Sequence, residues 1–495
     1  MRVLLELRPA LDGHAGIPQE TRLLFRGLAG MEGVDVLGLI QSSNLVVDAG
    51  LPLLRGRLAD AREAAHSIDR LSQVVVSLQQ GASANRLEHV RKKFLKLAGP
   101  ISGAAKDVVG LKVPLTGFDA AHFKDYVWRA FFARTLPVED FNAVTTREFR
   151  IFRWPWAYVN ALGAATGAMG HALYPRVDTE GIDLMIAETP YPGRVNRGTQ
   201  LVVRYHDAIP LLMPHTIKDR GHHRAMHYRA LKRNAADGAW FACVSEATRS
   251  DLLSVLPEVA SRAVTIPNMI SHTYFAETAS AARVPEIIWS RKNRQAPYSG
   301  GAEVEAEASL RGDLPYLLMV STVEPRKNYL ALLDAWELLR NSGFPHLHLV
   351  CVGNLGWDHE AIMRRFTPWL GRGGLHLLED VPAADLRLLY RHARLTVCPS
   401  FGEGFDFSGV EAMRSGGLVV ASDIVVHREV YADAAEYFSP YSAQELASVA
   451  AGLLGSQAEG RREVLRQAGA EVAQRYLPGR VLPQWKAFLD RLVHR

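Results

Sequence analysis

The chain has 495 residues, 48% hydrophobic and 22% charged, with 57 Lys and Arg against 52 Asp and Glu, a formal net charge of +5. That length excludes a single core, and the composition is that of a soluble globular protein. So small a basic surplus suits an anionic ligand or an acidic membrane surface without demanding nucleic acid, and none is expected as a partner.

Met1-Arg2-Val3-Leu4-Leu5-Glu6-Leu7 sets charges around a short apolar run, the pattern of a first β-strand rather than of a signal peptide. Val3–Leu7 predicts a strand, Gln19–Leu28 a helix and Val34–Ile40 a second strand. Between the first two lies Gly13-His14-Ala15-Gly16-Ile17-Pro18, short of a full Gly-x-Gly-x-x-Gly fingerprint but tight enough for backbone to approach a ligand. From about 50 to 180 the alternation stops. Leu58–Gln80 and Asn85–Lys96 read as amphipathic helices, and Tyr126, Trp128, Phe131, Phe132, Phe152, Trp154 and Trp156 follow, so a helical insertion is expected. Arg91, Lys92, Lys93 and Lys96 form either a peripheral membrane contact or a solvated helix face. The stretch between Arg153 and Arg176 is uncharged, but its Pro155, Asn160 and His171 predict a buried or interfacial helix rather than a span.

Strand-like runs resume at Asp183–Ala187, Leu201–Tyr205, Ala239–Val244 and Ala263–Ile266. A polar linker is expected at 283–313, around Gly300 and Gly301. Beyond it, Tyr316–Ser321, Leu347–Gly353, Leu375–Leu378, Leu395–Cys398 and Leu418–Ala421 alternate with helical patterns, which means βαβ units and a parallel, doubly wound sheet. Three closing helices are predicted at Ala443–Leu454, Arg461–Tyr476 and Val481–Val493. Cys243, Cys351 and Cys398 all fall in apolar runs and read as reduced core residues of a cytoplasmic protein.

The densest chemistry lies in Ser400–Ala412. A Gly-rich turn after the strand Leu395–Cys398 sets Glu403 and Glu411 eight positions apart at the mouth of an α/β sheet, where such sheets bind ligands. Ser408-Gly409-Val410-Glu411 also has capping-box spacing, with Glu411 folding back on the Ser408 amide. Glu324-Pro325-Arg326-Lys327-Asn328 places two cations where a helix dipole opposes them, unless an anion sits between, and so points to a diphosphate clamp. His206-Asp207 ends a strand, a place for hydrogen bonding or proton exchange near neutral pH, or for a structural histidine. His222, His223 and His227 come without a Glu-bearing zinc motif or clustered Cys, so no metal site is expected.

Taken in order, Gly13–Thr21, His206–Leu212, Val244–Arg249, Ile266–Asn268, Val323–Asn328, Glu379–Val381, Glu403–Met413 and Ala421–Glu429 make the chain resemble the retaining glycosyltransferases of family 4. The resemblance implies an α/β GT-B fold: two Rossmann-like doubly wound domains facing across a cleft, with the helical insertion in the first. Residues 1–282 would form the acceptor-side domain, 314–475 the nucleotide-sugar-binding domain, and 476–495 a closing helix. Arg326 and Lys327 would hold the donor diphosphate, Glu403 the sugar hydroxyls and Glu411 the ribose. Backbone near Val381 would meet the base, and Gly404, Phe405, Asp406, Phe407 and Ser408 complete the donor-binding loop. His206 would lie by the anomeric centre, with Gly13 and Gly16 closing on the phosphates. Transfer of this kind is metal-independent and needs no cofactor, and the chain has no Asp-x-Asp to anchor a metal.

In one respect the chain departs from the family. Asp406-Phe407-Ser408-Gly409 stands where Gly-Leu-Pro-Pro is usual, so Asp406 must point away, pair with a cation such as Arg414 or Lys327, or contact sugar hydroxyls. Similarity to bacterial polysaccharide mannosyltransferases suggests GDP-mannose as donor. The acceptor would be a lipid-linked or growing glycan, such as lipopolysaccharide, made at the inner face of the membrane. The alternatives are a nucleotide-sugar epimerase of the same fold and a catalytically silent nucleotide-sugar-binding subunit.

Overall fold

The structure, a computed structural model, describes residues 1–11, 13, 16–54, 56–58, 64–79, 112–167, 172–292 and 314–493. The expected helix Asn85–Lys96 with its basic patch, and the Gly300–Gly301 part of the linker, lie outside the described residues. The chain divides into two compact units, one comprising Met1–Pro214, Asp219–Met269 and Val481–Arg495, the other His215–Lys218 and Ile270–Arg480.

The first unit is built on eight strands: β1 (Arg2–Glu6), β2 (Asp35–Ile40), β3 (Thr116–Phe118), β4 (Glu148–Ile151), β5 (Leu184–Ala187), β6 (Gln200–Tyr205), β7 (Trp240–Cys243) and β8 (Ala263–Thr265). Their order is β8-β7-β6-β5-β1-β2-β4-β3, and all pairs are parallel except β3 with β4. Helices cover both faces, which is why the parallel strands read as nearly unbroken apolar runs. The sheet turns about β1, with β2 on one side and β5 on the other.

Here the insertion departs from expectation. The 50–180 region is not wholly helical, since β3 and β4 extend the sheet from within it. Charges hid β4. Arg150 is buried, with its guanidinium 2.7 Å from Glu148 and donating to the Gly56 carbonyl at 2.8 Å. Phe149 and Ile151 fill the core beside Phe25, Phe131 and Phe132. The uncharged stretch forms the 12-residue helix Trp156–Gly167, and among the described residues no helix is long and apolar enough to cross a membrane. The last helix, Pro478–Val493, sinks Val481, Trp485, Phe488 and Leu489 into the core of this first unit.

The second unit has six parallel strands: β9 (Tyr316–Val320), β10 (His348–Val352), β11 (Leu375–Leu378), β12 (Leu395–Cys398), β13 (Val419–Ser422) and β14 (Ala435–Phe438). Their order is β11-β10-β9-β12-β13-β14. Strand β14 gave no apolar run because Glu436 and Tyr437 keep partial exposure at the sheet edge. The winding reverses between β9 and β12, and in open α/β sheets ligands bind outside the strand ends at such a switch.

Candidate active site

In the second unit the two strands at the switch deliver the two polar loops singled out from the sequence. After β9 the chain makes a tight turn over Pro325–Lys327 before the helix Tyr329–Asn341. Asn328 holds that turn in the left-handed region, at φ 61°. Its side-chain amide donates to the carbonyls of Pro399 (3.0 Å) and Pro440 (2.8 Å), tying together the loops after β9, β12 and β14. The cations of the turn therefore have a fixed origin.

After β12, Phe401 N donates to the Arg326 carbonyl at 3.0 Å and brings the acidic loop alongside. Arg326 donates to the Gly402 carbonyl (2.6 Å) and to Glu324 (2.8 Å), and lies 3.0 Å from Glu403. Lys327 Nζ donates to the other Glu403 oxygen at 2.6 Å. Burial alone would raise the Glu403 carboxyl, but Arg326 and Lys327 overcome it and hold the group below its ordinary value. Glu324 is instead pushed up, burial and the neighbouring Glu403 outweighing the same two cations. Arg326, Lys327 and Glu403 thus come together as one cluster.

Of the arrangements expected for Asp406, the cation pair with Arg414 or Lys327 is not the one formed. Asp406 Oδ1 accepts from the Ser408 amide (3.2 Å) and hydroxyl (2.6 Å), and its Oδ2 lies 3.2 Å from His427 Nε2. Nδ1 of the fully buried His427 is anchored 2.9 Å from the Ser422 carbonyl. Desolvation would raise the Asp406 carboxyl, yet hydrogen bonding and attraction from His427, with Lys327 beyond, hold it well below the carboxylate range. Asp406, at φ 63°, is the N-cap of the helix Phe407–Arg414.

That cap overturns the capping-box reading of Ser408–Glu411. Ser408 lies inside the helix, and Glu411 does not fold back to the Ser408 amide. Its buried carboxylate accepts from the Tyr390 hydroxyl at 3.2 Å and from Tyr274. Gly409 is required because an added Cβ would stand 2.3 Å from the Tyr431 ring. Phe405 turns its ring into the core against Phe407 and Tyr476, leaving only its backbone for a ligand, as Gly404 does. Phe407 is half-buried. Val381, half-buried, lies between β11 and the helix Ala383–His392.

In the first unit, His206 follows β6, and the neighbouring strand ends supply groups that motif reading passed over. Glu6 ends β1 and pairs with Arg8 at 2.7 Å. Glu188 follows β5, and its amide donates to Glu6 at 2.9 Å while its Oε2 lies 3.2 Å from His206 Nε2. Glu20, on the helix Ile17–Ala29, pairs with buried Arg204 at 2.9 Å. Burial raises the Glu188 carboxyl to about 8 and lowers the His206 imidazole to about 4, Arg204 reinforcing the latter. Gly16 caps the helix Ile17–Ala29 at φ 73° and Gly13 sits at φ 65°, both left-handed positions that favour glycine. The sequence signal for this cluster was a glutamate inside an apolar first strand. Among the described residues no group of three or more His, Cys, Asp or Glu is placed to hold a metal ion.

Two α/β units built on largely parallel sheets, one with basic and acidic loops meeting at its switch point, are the architecture of the GT-B fold. The fold is matched along 99% of the chain by sucrose-phosphate synthase of Thermosynechococcus elongatus, at 15% identity and a TM-score of 0.56, covering 98% of that chain. The family profile of glycosyl transferases group 1 matches residues 314–456, so the chain carries a group 1 glycosyltransferase domain. The O-antigen chain mannosyltransferase B of Escherichia coli is 27% identical over 287 residues, 58% of this chain and 68% of that protein. The serotype-specific mannosyltransferase WbdA of Escherichia coli is 33% identical over 135 residues, 27% of this chain but only 16% of its own length.

Proposed function

We propose that the protein transfers mannose from GDP-mannose, with retention and without a metal, to a lipid-linked or growing polysaccharide in surface glycan synthesis. The observation that carries this reading is the Arg326–Lys327–Glu403 cluster, within 3.0 Å, at the switch point of a group 1 domain. The names of the relatives support the choice of mannose and of an O-antigen-like product.

In this mechanism Arg326 and Lys327 bind the diphosphate and neutralise the charge that grows on it as the anomeric C–O bond breaks. Glu403 accepts hydrogen bonds from sugar hydroxyls, and Glu411, oriented by Tyr390 and Tyr274, meets the ribose. Backbone amides at the start of the helix Phe407–Arg414 face negative charge, as helix N-termini do. His206 hydrogen-bonds a substrate hydroxyl. The acceptor oxygen forms the new bond on the face the diphosphate leaves, and its proton passes to the departing phosphate oxygen.

The test is incubation with GDP-mannose and a glycan-lipid acceptor in the presence of a chelator, with the product's anomeric configuration read by NMR. An α-mannoside is expected. A β-mannoside, a requirement for added metal, or conversion of the donor without acceptor would contradict the reading.

A further inference from the structure

Glu6, Glu188 and His206 stand at the ends of the adjacent strands β1, β5 and β6. Among the described residues the charged or titratable groups around Glu188 and His206 are Glu6, Arg8, Glu20, Arg204 and Asp207. Two of the three buried carboxylates have their own guanidinium: Glu6 has Arg8 and Glu20 has Arg204. Glu188 has neither. Its side chain is wholly buried, its Oε2 faces only His206, and its Oε1 has no hydrogen-bond partner among the described residues. An ionised carboxylate there would be desolvated with one oxygen unmet, and an imidazolium opposite would lie beside the buried Arg204 guanidinium. A neutral acid and a neutral imidazole avoid both costs.

We propose that Glu188 is a positioning residue that stays protonated, donates its O–H to His206 Nε2, and so fixes His206 as the tautomer whose proton is on Nδ1. His206 keeps about 10% of its side-chain surface exposed, so the edge turned from Glu188 can offer that N–H to a substrate oxygen. This role for the N–H rests on the transferase reading above; the protonation pattern does not. The raised Glu188 carboxyl and lowered His206 imidazole agree with a pair that shares one proton at neutral pH.

Two readouts test it. In protein labelled with 15N-histidine, His206 assigned by its loss in His206→Gln should show a bare Nε2 and a protonated Nδ1 at pH 7. A protonated Nε2, with or without a proton on Nδ1, overturns the proposal. Separately, Glu188→Ala should lower kcat about 100-fold, the scale of a misplaced catalytic group. Glu188→Gln, whose amide can still donate to Nε2, should recover activity to within a few-fold of wild type. Wild-type kcat should fall as pH rises through about 8, where Glu188 ionises, and Glu188→Gln should not show that fall. Equal loss in both variants, or the same alkaline fall in Glu188→Gln, would overturn it. If wild type transfers no sugar at all, the functional reading fails while the ring nitrogens still decide the dyad.

Discussion

The two sheets place polar loops at equivalent points of similar topology, yet they treat ionisable groups in opposite ways. In the second unit Glu403 and Asp406 are largely enclosed but held ionised, because each faces a cation or an imidazole at hydrogen-bond distance. In the first unit Glu20 and Glu188 are pushed towards neutrality and His206 is kept uncharged. Burial acts the same way in both, and the outcome turns on whether the facing cations outweigh it, as Arg326 and Lys327 do at Glu403 but not at Glu324, and as Arg204 does not at Glu20. A loop of ionised, paired groups can exchange partners with a diphosphate, while a neutral cluster is suited to hydroxyls.

Breaking the ionised cluster should give the largest effect. Glu403→Ala is expected to lower transfer about 100- to 1000-fold, the range seen when one preorganised transition-state contact is lost. The same variant should bind GDP no more weakly than wild type, since Glu403 competes for Arg326 and Lys327. Calorimetry beside a transfer assay checks both halves. Gly409→Ala drives a methyl into the Tyr431 ring and should cost roughly 1–3 kcal/mol by overpacking, read as a lower melting temperature. It should also disturb the 3.3 Å bond from the Tyr431 hydroxyl to the Asp406 carbonyl.

The smallest effects sharpen the contrast by sign. A carboxyl depressed in the native state, as at Asp406, binds fewer protons folded than unfolded below its ordinary value of 3.8. Its stabilisation is present above that value and is lost as pH falls, so Asp406→Asn should lose less stability on acidification than wild type. Glu188 is the reverse. With its carboxyl raised from 4.5 to about 8, the native state holds the extra proton between those values, and stability falls as pH rises through them. His206, lowered from 6.5 to about 4, acts oppositely between those two values. Glu188→Gln should therefore flatten the alkaline side of the melting profile, as differential scanning calorimetry would show.

Much of this architecture was legible from residue patterns. Parallel strands buried on both faces give apolar runs, and Tyr316–Val320, Leu375–Leu378 and Leu395–Cys398 announced themselves that way. Strand β4 did not, because Arg150 enters the interior only with Glu148 and the Gly56 carbonyl to meet it. The Arg326–Lys327 and Glu403 loops were visible because glycine, proline and charge mark turns. What joins them was not, since the Asn328 bonds to Pro399 and Pro440 reach across 71 and 112 residues. Glu411 looked like a cap by spacing alone, and only tertiary placement shows Tyr390 and Tyr274 as its partners. The Glu188–His206 pair has no local pattern either, for two adjacent strand ends bring it together.

The most direct test of the donor site proposed for the second unit is calorimetric titration with a panel of nucleoside diphosphates, GDP among them, in a metal-free buffer, for wild type and Lys327→Ala. The account predicts that GDP binds wild type and that the variant binds it about 10- to 100-fold more weakly, the worth of a charge-assisted contact. Binding of equal strength in the variant, or no binding of any nucleotide to wild type, would contradict it.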